Sequence, residues 1–547
     1  MTRLETQVLD LLREDCRLPL EKLAVMLGVS TEEVAETIDS LERRRVILHY
    51  APTINWDLTD RERVEAMIQV SVTPQRDMGF DAVARRIYRF EEVKSVYLMS
   101  GGYDLLVLVE AKSLKELALF VSSKLSTLEM VTGTQTSFVL KRYKEEGVIF
   151  GLAVNYDRYI NQAIAAVPPS GIRRFFDIAA TMKDAISLGV GEPDFVTPYH
   201  IRNAAINSII DGGTQYTGNR GLPELCREIS EYLSERFHTD YDPKTEIMVT
   251  VGASEAIDIA LRALVGPGDE VLVPQPSYVS YSPSVIFAGG TPVGVETTAD
   301  TEFRLTPEAL RAAITPRTKC LILPYPNNPT GGIMEKADLE KIAQVVRETG
   351  ILVISDEIYG ELTYGDRTHI SFASLPGMWQ YTITLNGFSK AFAMTGWRVG
   401  YACGPKEILS VMLKIHQYSI LCAPRMGQVA ALEALQAGRA NDYEDVRRMR
   451  DSYDRRRRLM VDSFRKMGLD CFEPLGAFYV FPSIKKTGLD SETFCERLLN
   501  EYKIATVPGT AFGECGEGHI RCSYATGVEK LNIALERMSE FVDKCGK

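Results

Sequence analysis

Apolar residues recur with helical spacing through the first part of the chain. Leu4 and Val8 belong to the apolar stripe of a first helix, and Pro19 stands at the first turn of a second. Ser30, followed three residues later by Glu33, is a capping box that predicts the start of a third helix. Two helices, a glycine-containing turn and a further helix predict a helix-turn-helix over residues 1–55.

From about residue 60 the pattern changes to short alternating runs of apolar and polar residues, separated by helical segments. The predicted strands are 64–72, 93–99, 103–110 and 131–140, and the predicted helices are 80–90 and 113–128. The order β-α-β-β-α-β predicts a ferredoxin-like domain over residues 60–145. Gly101 and Gly102 predict a hairpin turn between the two middle strands, with Asp104 just after it.

A long α/β pattern occupies residues 150–547. The charged segment from Lys141 to Gly147 predicts the boundary between this region and the preceding domain. Continuous apolar runs such as 351–354 are typical of strands that a parallel sheet buries on both faces. Ligands of such sheets bind at the carboxyl ends of the strands. The residues that follow these runs are therefore candidates for function.

Composition narrows the class of protein. The 547 residues are 45% apolar and 25% charged, a globular balance that excludes a disordered or fibrous chain. The net charge of −11 is unfavourable for a protein that binds nucleic acid mainly through charge. No apolar run reaches the roughly 18 residues of a membrane span, and the ten cysteines form no CxxC pair. We therefore predict a cytoplasmic protein with reduced thiols and with no membrane segment or metal site.

The charge of the helix-turn-helix leaves two interpretations open. Its third helix would read DNA, and an extended piece after Arg43–Arg45 would form a wing. However, the early exposed positions of that helix are Glu32, Glu33 and Glu36, which DNA phosphates would repel. Residues 1–50 carry seven basic and ten acidic side chains. The sequence thus leaves two possibilities open: residues 1–50 bind DNA, or they form a module that only packs or dimerises.

The most specific chemical motif surrounds Lys390. The stretch from Gly387 to Gly400 follows an apolar strand and contains Gly-x-Ser-Lys, with Arg398 eight residues beyond the lysine. Pyridoxal phosphate needs a lysine amine that bonds its aldehyde and cations that hold its phosphate. Small residues around the lysine would let the backbone approach that phosphate. The pattern predicts a pyridoxal phosphate site.

Further motifs follow other strands, and each has a plain structural alternative. Asp356 would keep a pyridine nitrogen protonated or cap a helix, and Tyr359 would reach the ring hydroxyl. Gly252–Ala256 suits a phosphate at a helix start, or a simple cap. Tyr278 would lie over the ring or pack in the core, and Arg521 would bind a carboxylate or form an internal salt bridge. Residues 326–332, Pro-Asn-Asn-Pro-Thr-Gly-Gly, taken alone indicate only a turn.

Residues 1 to about 145 resemble regulators of the Lrp/AsnC family, in which a winged helix-turn-helix precedes a βαββαβ domain that senses ligands and dimerises. In that family, the glycine-rich loop before a Tyr-Asp pair lies where effector amino acids bind between subunits. Gly102, Tyr103 and Asp104 match this pattern. The resemblance implies an effector site there, and a hairpin turn with a capping aspartate is the alternative.

Residues from about 155 to 545 resemble class I aminotransferases among the fold-type I pyridoxal phosphate enzymes, above all the bacterial aspartate and aromatic branch. The motifs are Gly-Glu-Pro-Asp-Phe at 191–195 and Ala-Met-Thr-Gly-Trp-Arg at 393–398. The resemblance implies a mostly parallel sheet with helices on both faces, and a smaller α+β domain. The large cofactor-binding domain would span about 205–440, and the small domain about 155–200 and 441–547.

This second resemblance implies a role for each matched residue. Lys390 would bond the cofactor and shuttle the substrate proton, and Asp356 would pair with the pyridine nitrogen. Asn328 and Tyr359 would hydrogen-bond the ring oxygen, and Tyr278 would stack on the ring. The residues implied to hold the phosphate are Ala253, Ser254, Ser389 and Arg398, with Tyr216 reaching the phosphate of the partner subunit. The residues implied to bind the substrate are Arg521 at its α-carboxylate, with Gly191 and Asn328 beside it.

Taken together, the resemblances imply an aminotransferase with an N-terminal amino-acid-sensing module, assembled as a homodimer or higher homo-oligomer. It would move an amino group from an aspartate, aromatic or broad-range L-amino acid to a 2-oxo acid by a ping-pong mechanism. Two alternatives stay open. One is a DNA-binding regulator that uses the pyridoxal phosphate domain as a sensor and resembles MocR-type regulators. The other is a pyridoxal phosphate-dependent β-lyase.

Overall fold

The computed structural model describes residues 1–56, 59, 63–73, 79–145, 147–149, 156–169, 171, 182 and 184–545. The chain divides into two compact units, Met1–Tyr156 and Asp157–Lys547, called the N-terminal and C-terminal units here. Within the described ranges, none of the helices combines the length and the apolar character that a bilayer crossing requires.

The N-terminal unit begins with three helices, α1 (Arg3–Glu14), α2 (Leu20–Leu27) and α3 (Thr31–Arg43). The predicted capping box is confirmed, because the Glu33 amide donates to Ser30 Oγ and the Ser30 amide donates to Glu33 Oε2, both at 3.2 Å. Gly28 ends α2 in the left-handed region, with a φ of +68°. Each helix contributes fully buried apolar side chains, namely Val8, Leu23, Val34 and Leu41.

The segment after α3 differs from the predicted wing. Residues 44–56 contain no hydrogen-bonded strand, although the sequence predicts an extended piece there. The Arg44 guanidinium instead donates to Glu5 Oε1 at 2.6 Å, which ties the end of α3 to α1. An extended piece becomes a strand only when a second one pairs with it, and residues 44–56 offer no such partner.

The rest of the N-terminal unit has the predicted βαββαβ order. Its strands are β1 (Val64–Val72), β2 (Val93–Leu98), β3 (Leu105–Ala111) and β4 (Val131–Phe138). They form an antiparallel sheet in the order β2-β3-β1-β4. The remaining elements are α4 (Phe80–Ile87), α5 (Leu114–Phe120) with a π-helical turn Val121–Leu125, and a short hairpin of β5 (Lys144–Glu145) and β6 (Val148–Ile149). Alternate residues of β1 are buried with the helices, as a half-buried strand requires.

The C-terminal unit opens with α6 (Gln162–Ala165) and β7 (Ile186–Ser187). The strands of its main sheet are β8 (Ile247–Thr250), β9 (Glu270–Gln275), β10 (Thr291–Glu296), β11 (Thr318–Leu323), β12 (Leu352–Asp356), β13 (Thr382–Gly387) and β14 (Gly400–Cys403). Their order is β10-β9-β11-β12-β13-β14-β8, and β14 alone in this sheet runs antiparallel to its neighbours. The predicted mostly parallel sheet is therefore confirmed.

Helices cover both faces of the main sheet. They are α7 (Tyr199–Ile210), α8 (Pro223–Phe237), α9 (Gly252–Leu264), α10 (Tyr281–Phe287), α11 (Pro307–Ala313), α12 (Lys336–Thr349), α13 (Lys406–Ser419) and α14 (Arg425–Ala440). A longer helix, α15 (Glu444–Lys466), packs mainly against the smaller part described below. The successive residues Val353 and Ile354 of β12 point to opposite faces. Val353 packs in a cluster with α12, and Ile354 packs in a different cluster with α9 and α13.

A smaller α+β part completes the C-terminal unit. Its elements are β15 (Tyr479–Val480), α16 (Ser491–Tyr502), β16 (Ile504–Ala505), β17 (Val507–Pro508), β18 (Ile520–Ser523) and α17 (Val528–Cys545). The strands β15, β18 and β17 form an antiparallel sheet, and β16 pairs in parallel with β7. Because β7 precedes the main sheet in sequence and β16 follows it, this part is built from both ends of the unit.

Candidate active site

A cavity of about 490 Å³ lies where the strands of the main sheet end. Its lining includes every residue predicted for this site except Tyr216, namely Gly191, Ala253, Ser254, Tyr278, Asn328, Asp356, Tyr359, Ser389, Lys390, Arg398 and Arg521. Asp356 is the last residue of β12, Lys390 lies just beyond β13, and Tyr278 lies just beyond β9. Parallel strands end at one edge of their sheet, so residues distant in sequence meet there.

Lys390 lines this cavity, and the pKa of its side chain is lower than that of an exposed lysine. Its Nζ donates to the Gly191 carbonyl at 2.6 Å. Burial lowers the pKa of its ammonium to about 8; Arg521 and Arg398 act in the same direction, and Glu192 acts against them. A nucleophilic or basic lysine must be neutral when it acts. The cavity therefore gives Lys390 a usable neutral fraction near physiological pH.

Asp356 is buried and is held by a residue that the sequence motifs do not single out. Its Oδ2 accepts from the Tyr281 hydroxyl at 2.7 Å, and its Oδ1 accepts from the Ile358 amide at 3.2 Å. Burial raises the pKa of Asp356, and these two hydrogen bonds oppose the rise. The sequence signal for Tyr281 is only its spacing, three residues after Tyr278. A buried carboxylate of this kind suits the protonated nitrogen of a heterocycle.

The N-terminus of α9 and Arg398 form a cradle for an anion. A Cβ on Gly252 would lie 2.7 Å from Arg398 Nη2, and a Cβ on Gly400 would lie 2.6 Å from the Ala253 nitrogen. Gly252 also has a φ of +71°, a backbone conformation that residues with a Cβ rarely adopt. The two glycines thus let helix amides and a guanidinium approach the same point. Such donors are the ones that a phosphate prefers.

Arg521 is 2% exposed, and the hydrogen bonds that the structure describes for its side chain go to an amide oxygen and a backbone carbonyl rather than to a carboxylate. Its Nη1 donates to Asn328 Oδ1 at 2.9 Å, and its Nη2 donates to the Gly189 carbonyl. Its buried Nε has no hydrogen-bond partner in the part of the chain that the structure describes. Burial lowers the pKa of this guanidinium. A buried cation that lacks a counter-ion indicates an anion supplied by a ligand.

Tyr479 is the second cavity residue that the motifs do not identify. Its hydroxyl lies 3.0 Å from the Tyr359 hydroxyl, and its ring faces the Arg521 guanidinium. A Cβ on Gly191 would lie 2.5 Å from the Tyr479 hydroxyl, so position 191 has no room for a side chain. The sequence offers no signal for this role, because Tyr479 lies in an aromatic run that is typical of a core strand.

The two remaining tyrosines differ in their placement. Tyr278 lines the cavity and meets the Tyr281 ring edge-on, with centroids 5.6 Å apart. Tyr216 is 78% exposed and is absent from the described lining of the cavity in its own chain. Its predicted role concerns the partner subunit and stays a prediction.

The cavity fits pyridoxal phosphate by the chemistry of its donors. A buried acid, an anion cradle and a lysine of lowered pKa match the ring nitrogen, the phosphate and the aldehyde of this cofactor. The unpartnered Nε of Arg521 matches the carboxylate of an amino acid. These groups line one cavity whose volume of about 490 Å³ is in the range of small-molecule sites.

The predicted effector residues lie in the connection between β2 and β3. Asp104 Oδ2 accepts from the Val72 amide at 2.7 Å, which joins this loop to the end of β1. Gly102 is exposed, and an added Cβ there would meet no atom within 4 Å. Tyr103 is half-buried. These contacts support the structural alternative for Asp104, and the effector site stays a prediction.

The exposed face of α3 is acidic. The carboxylate side chains exposed on it are Glu32, Glu33, Glu36, Asp39 and Glu42. DNA phosphates would repel such a face. The helix therefore has the position of a recognition helix, and the charge of its exposed face is unfavourable for DNA binding.

Three stretches of the chain match known protein families. Residues 183–538 match the family of class I and II aminotransferases. Residues 65–149 match the Lrp/AsnC ligand binding domain, and residues 1–42 match the AsnC-type helix-turn-helix domain.

Individual relatives agree with the family match. The putative aminotransferase YugH of Bacillus subtilis is 53% identical over 386 residues, which cover 71% of this chain and 99% of the relative. The aspartate aminotransferase of Pyrococcus abyssi is 50% identical over 374 residues, which cover 68% of this chain and 96% of the relative. The crystal structure of the aromatic aminotransferase from Pyrococcus horikoshii aligns with a TM-score of 0.65 at 47% identity, covering 68% of this chain and 99% of that one.

Proposed function

Because the chain belongs to the class I and II aminotransferase family, we propose that it binds pyridoxal phosphate at Lys390 and transfers amino groups between L-amino acids and 2-oxo acids. The observation that carries this proposal is that two complementary groups line the same cavity. A lysine with a pKa of about 8 shares it with Arg521, a buried guanidinium whose Nε has no described partner. One group supplies a neutral amine, and the other binds a carboxylate.

The side chains divide the work of the reaction. When bound, pyridoxal phosphate supplies an aldehyde that takes up the amino group and a ring that delocalises negative charge. Lys390 would hold the aldehyde, and its free neutral amine would take up and return the proton of the substrate Cα. Asp356 would keep the ring nitrogen protonated. Arg521 binds the α-carboxylate and so fixes the substrate in the cavity that contains Lys390.

Other residues hold the cofactor in place. The phosphate is assigned to Ala253, Ser254, Ser389 and Arg398, around the glycine cradle. The ring oxygen is assigned to Asn328 and Tyr359, and Tyr278 is assigned to the ring face. We also assign Tyr216 to the phosphate of the partner subunit, in a homodimer or a higher homo-oligomer. The proposed domains are 1–55, 60–145 and 150–547, the last with its large domain at about 205–440.

The substrates are proposed by analogy with the relatives. Aspartate, aromatic and broad-range L-amino acids are the candidates, because the relatives named above include an aspartate and an aromatic aminotransferase. A ping-pong reaction leaves the amino group on the enzyme when no 2-oxo acid is present. These relatives give no support to a β-lyase.

A half-reaction tests the proposal. The purified full chain is mixed with single L-amino acids, without a 2-oxo acid, and the cofactor absorbance is recorded. We expect particular amino acids to convert the spectrum to that of the amine form of the cofactor, with release of one 2-oxo acid per site. Lys390→Ala should still bind the cofactor but lose conversion by about 10³-fold or more. Cofactor binding without conversion by any amino acid would refute the aminotransferase proposal.

For the N-terminal unit we propose amino-acid sensing that regulates the enzyme. The Lrp/AsnC ligand binding domain carries this proposal. DNA binding through residues 1–50 is a second candidate, which the helix-turn-helix family favours and the acidic face of α3 disfavours. Gel shift with the upstream DNA of its own gene, with and without amino acids, distinguishes the two. A salt-sensitive, sequence-specific shift would establish DNA binding.

A further inference from the structure

Tyr479 lies on the same face of a small sheet as Arg521. It is fully buried, and it is paired with Ser523 in the antiparallel register of β15 and β18. Arg521 stands two residues before Ser523, so its side chain emerges on the same face as the tyrosine. This register brings the tyrosine ring next to the carboxylate-binding guanidinium.

The Arg521 guanidinium is held by two aromatic rings. Its Cζ lies 4.6 Å from the centroid of the Tyr479 ring and 4.8 Å from the centroid of the Phe512 ring. Both rings are buried. Contact of a desolvated cation with aromatic faces is favourable, and it restricts the plane of the guanidinium. The Tyr479 ring therefore contributes to the orientation of Arg521.

The hydroxyl of Tyr479 acts at a different place. It lies 3.0 Å from the hydroxyl of Tyr359, the residue assigned to the ring oxygen of the cofactor. Both phenols are buried, and burial raises the pKa of each, so both keep their protons at neutral pH. The hydrogen bond between them fixes the direction of the Tyr359 hydroxyl. Gly191 packs closely against this hydroxyl, because a Cβ added at position 191 would lie 2.5 Å from it.

We propose that Tyr479 is a positioning residue with two separable functions. Its ring orients Arg521 for the substrate carboxylate, and its hydroxyl orients Tyr359 for the oxygen of the cofactor ring. The assignment rests on the proposed function, because it uses the roles given there to Arg521 and Tyr359. It predicts that the two functions are lost in different variants.

Variants of the full chain separate the ring from the hydroxyl. Tyr479→Phe keeps the ring and removes the hydroxyl, and Tyr479→Leu removes both. Tyr359→Phe and the double variant Tyr359→Phe/Tyr479→Phe complete a cycle. Tyr364→Phe is the matched control, because its hydroxyl also bonds a buried partner, the Ala477 carbonyl, yet lies outside the described lining of the cavity.

Two readouts are independent of turnover. The first is the dissociation constant of an unreactive carboxylate, maleate or 3-phenylpropionate, for the chain loaded with pyridoxal phosphate. The second is the pH midpoint of the absorbance of the bound cofactor, together with its dissociation constant. A failure of transamination is thus read separately from a failure of positioning.

We expect Tyr479→Leu to weaken carboxylate binding by about tenfold or more, and Tyr479→Phe to change it by less than about twofold. Tyr479→Phe should shift the spectral midpoint in the same direction as Tyr359→Phe, and the double variant should shift it no further than Tyr359→Phe alone. Additive shifts would overturn the hydroxyl function. Unchanged carboxylate affinity in Tyr479→Leu would overturn the ring function. If that variant does not fold, Phe512→Leu tests the same aromatic contact, with the same expected loss.

Discussion

The hydrogen bond from Tyr281 to Asp356 offers a quantitative test of how the cavity holds its acid. Tyr281→Phe removes the hydroxyl that donates to Asp356 Oδ2 at 2.7 Å and keeps nearly the whole ring volume. Asp356 is 4% exposed, so water cannot readily replace the lost donor. The Ile358 amide, at 3.2 Å, would then be the remaining donor to this carboxylate among the bonds described above.

The magnitude follows from the charge of the acceptor. A hydrogen bond to a buried charged group contributes about 1.5–3 kcal/mol. Loss of a donor to the charged form should therefore raise the pKa of Asp356 further above its value in the folded wild type. That value already lies above the ordinary 3.8 because of burial. A carboxyl whose pKa is higher in the folded than in the unfolded chain loses stability as pH rises between the two values.

The variant should therefore lose little stability at acid pH, and its loss should grow to about 1.5–3 kcal/mol above its new folded pKa. The assay is urea unfolding of the cofactor-free full chain from about pH 5 to about pH 8.5, followed by tryptophan fluorescence, to which Trp56, Trp379 and Trp397 contribute. Tyr325→Phe is the control, because it removes a buried hydroxyl that donates at 2.7 Å to a carbonyl, an acceptor that does not titrate. An equal, pH-independent loss in both variants would refute the reasoning.

Three further predictions concern other parts of the chain. The rate at which the cofactor-free chain takes up pyridoxal phosphate should rise about tenfold per pH unit and level off above pH 8, because burial lowers the pKa of Lys390 to about 8. Stopped-flow absorbance measures this rate, and a rise that continued to about pH 10 would contradict the prediction. Gly191→Ala should lower kcat/KM in steady-state assays by about tenfold or more, because the added Cβ would lie 2.5 Å from the Tyr479 hydroxyl. Gly396→Ala is the control in the same cavity: its Cβ would meet no atom within 4 Å, so kcat/KM should change by less than about twofold. Asp104→Ala should destabilise the N-terminal unit by about 1–3 kcal/mol, because the Val72 amide of β1 loses the carboxylate that accepts its hydrogen bond at 2.7 Å. Hydrogen exchange of the Val72 amide should accelerate, and unchanged protection of that amide would exclude a structural role for Asp104.

Much of the fold follows from local patterns. The strand predicted at 64–72 has the same bounds in the structure, and the capping box of Ser30 and Glu33 forms as its spacing requires. Both depend on side-chain periodicity or on contacts within one helical turn, which sequence displays directly. The extended piece after Arg45 fails to become a strand because pairing depends on a second segment. Pairing of that kind is invisible in a local pattern.

The site divides in the same way. Asp356 and Lys390 could be found in sequence, because the strands before them are apolar and ligands bind at the ends of parallel strands. Tyr281 and Tyr479 could not, because a buried tyrosine has the same sequence pattern whether it fills a core or donates to a functional group. The pKa of Lys390 also depends on burial and on cations brought from distant segments. Sequence therefore determined which chemistry is present, and the tertiary structure decided how it is held, because desolvation and hydrogen-bond partners arise only when separate elements pack together.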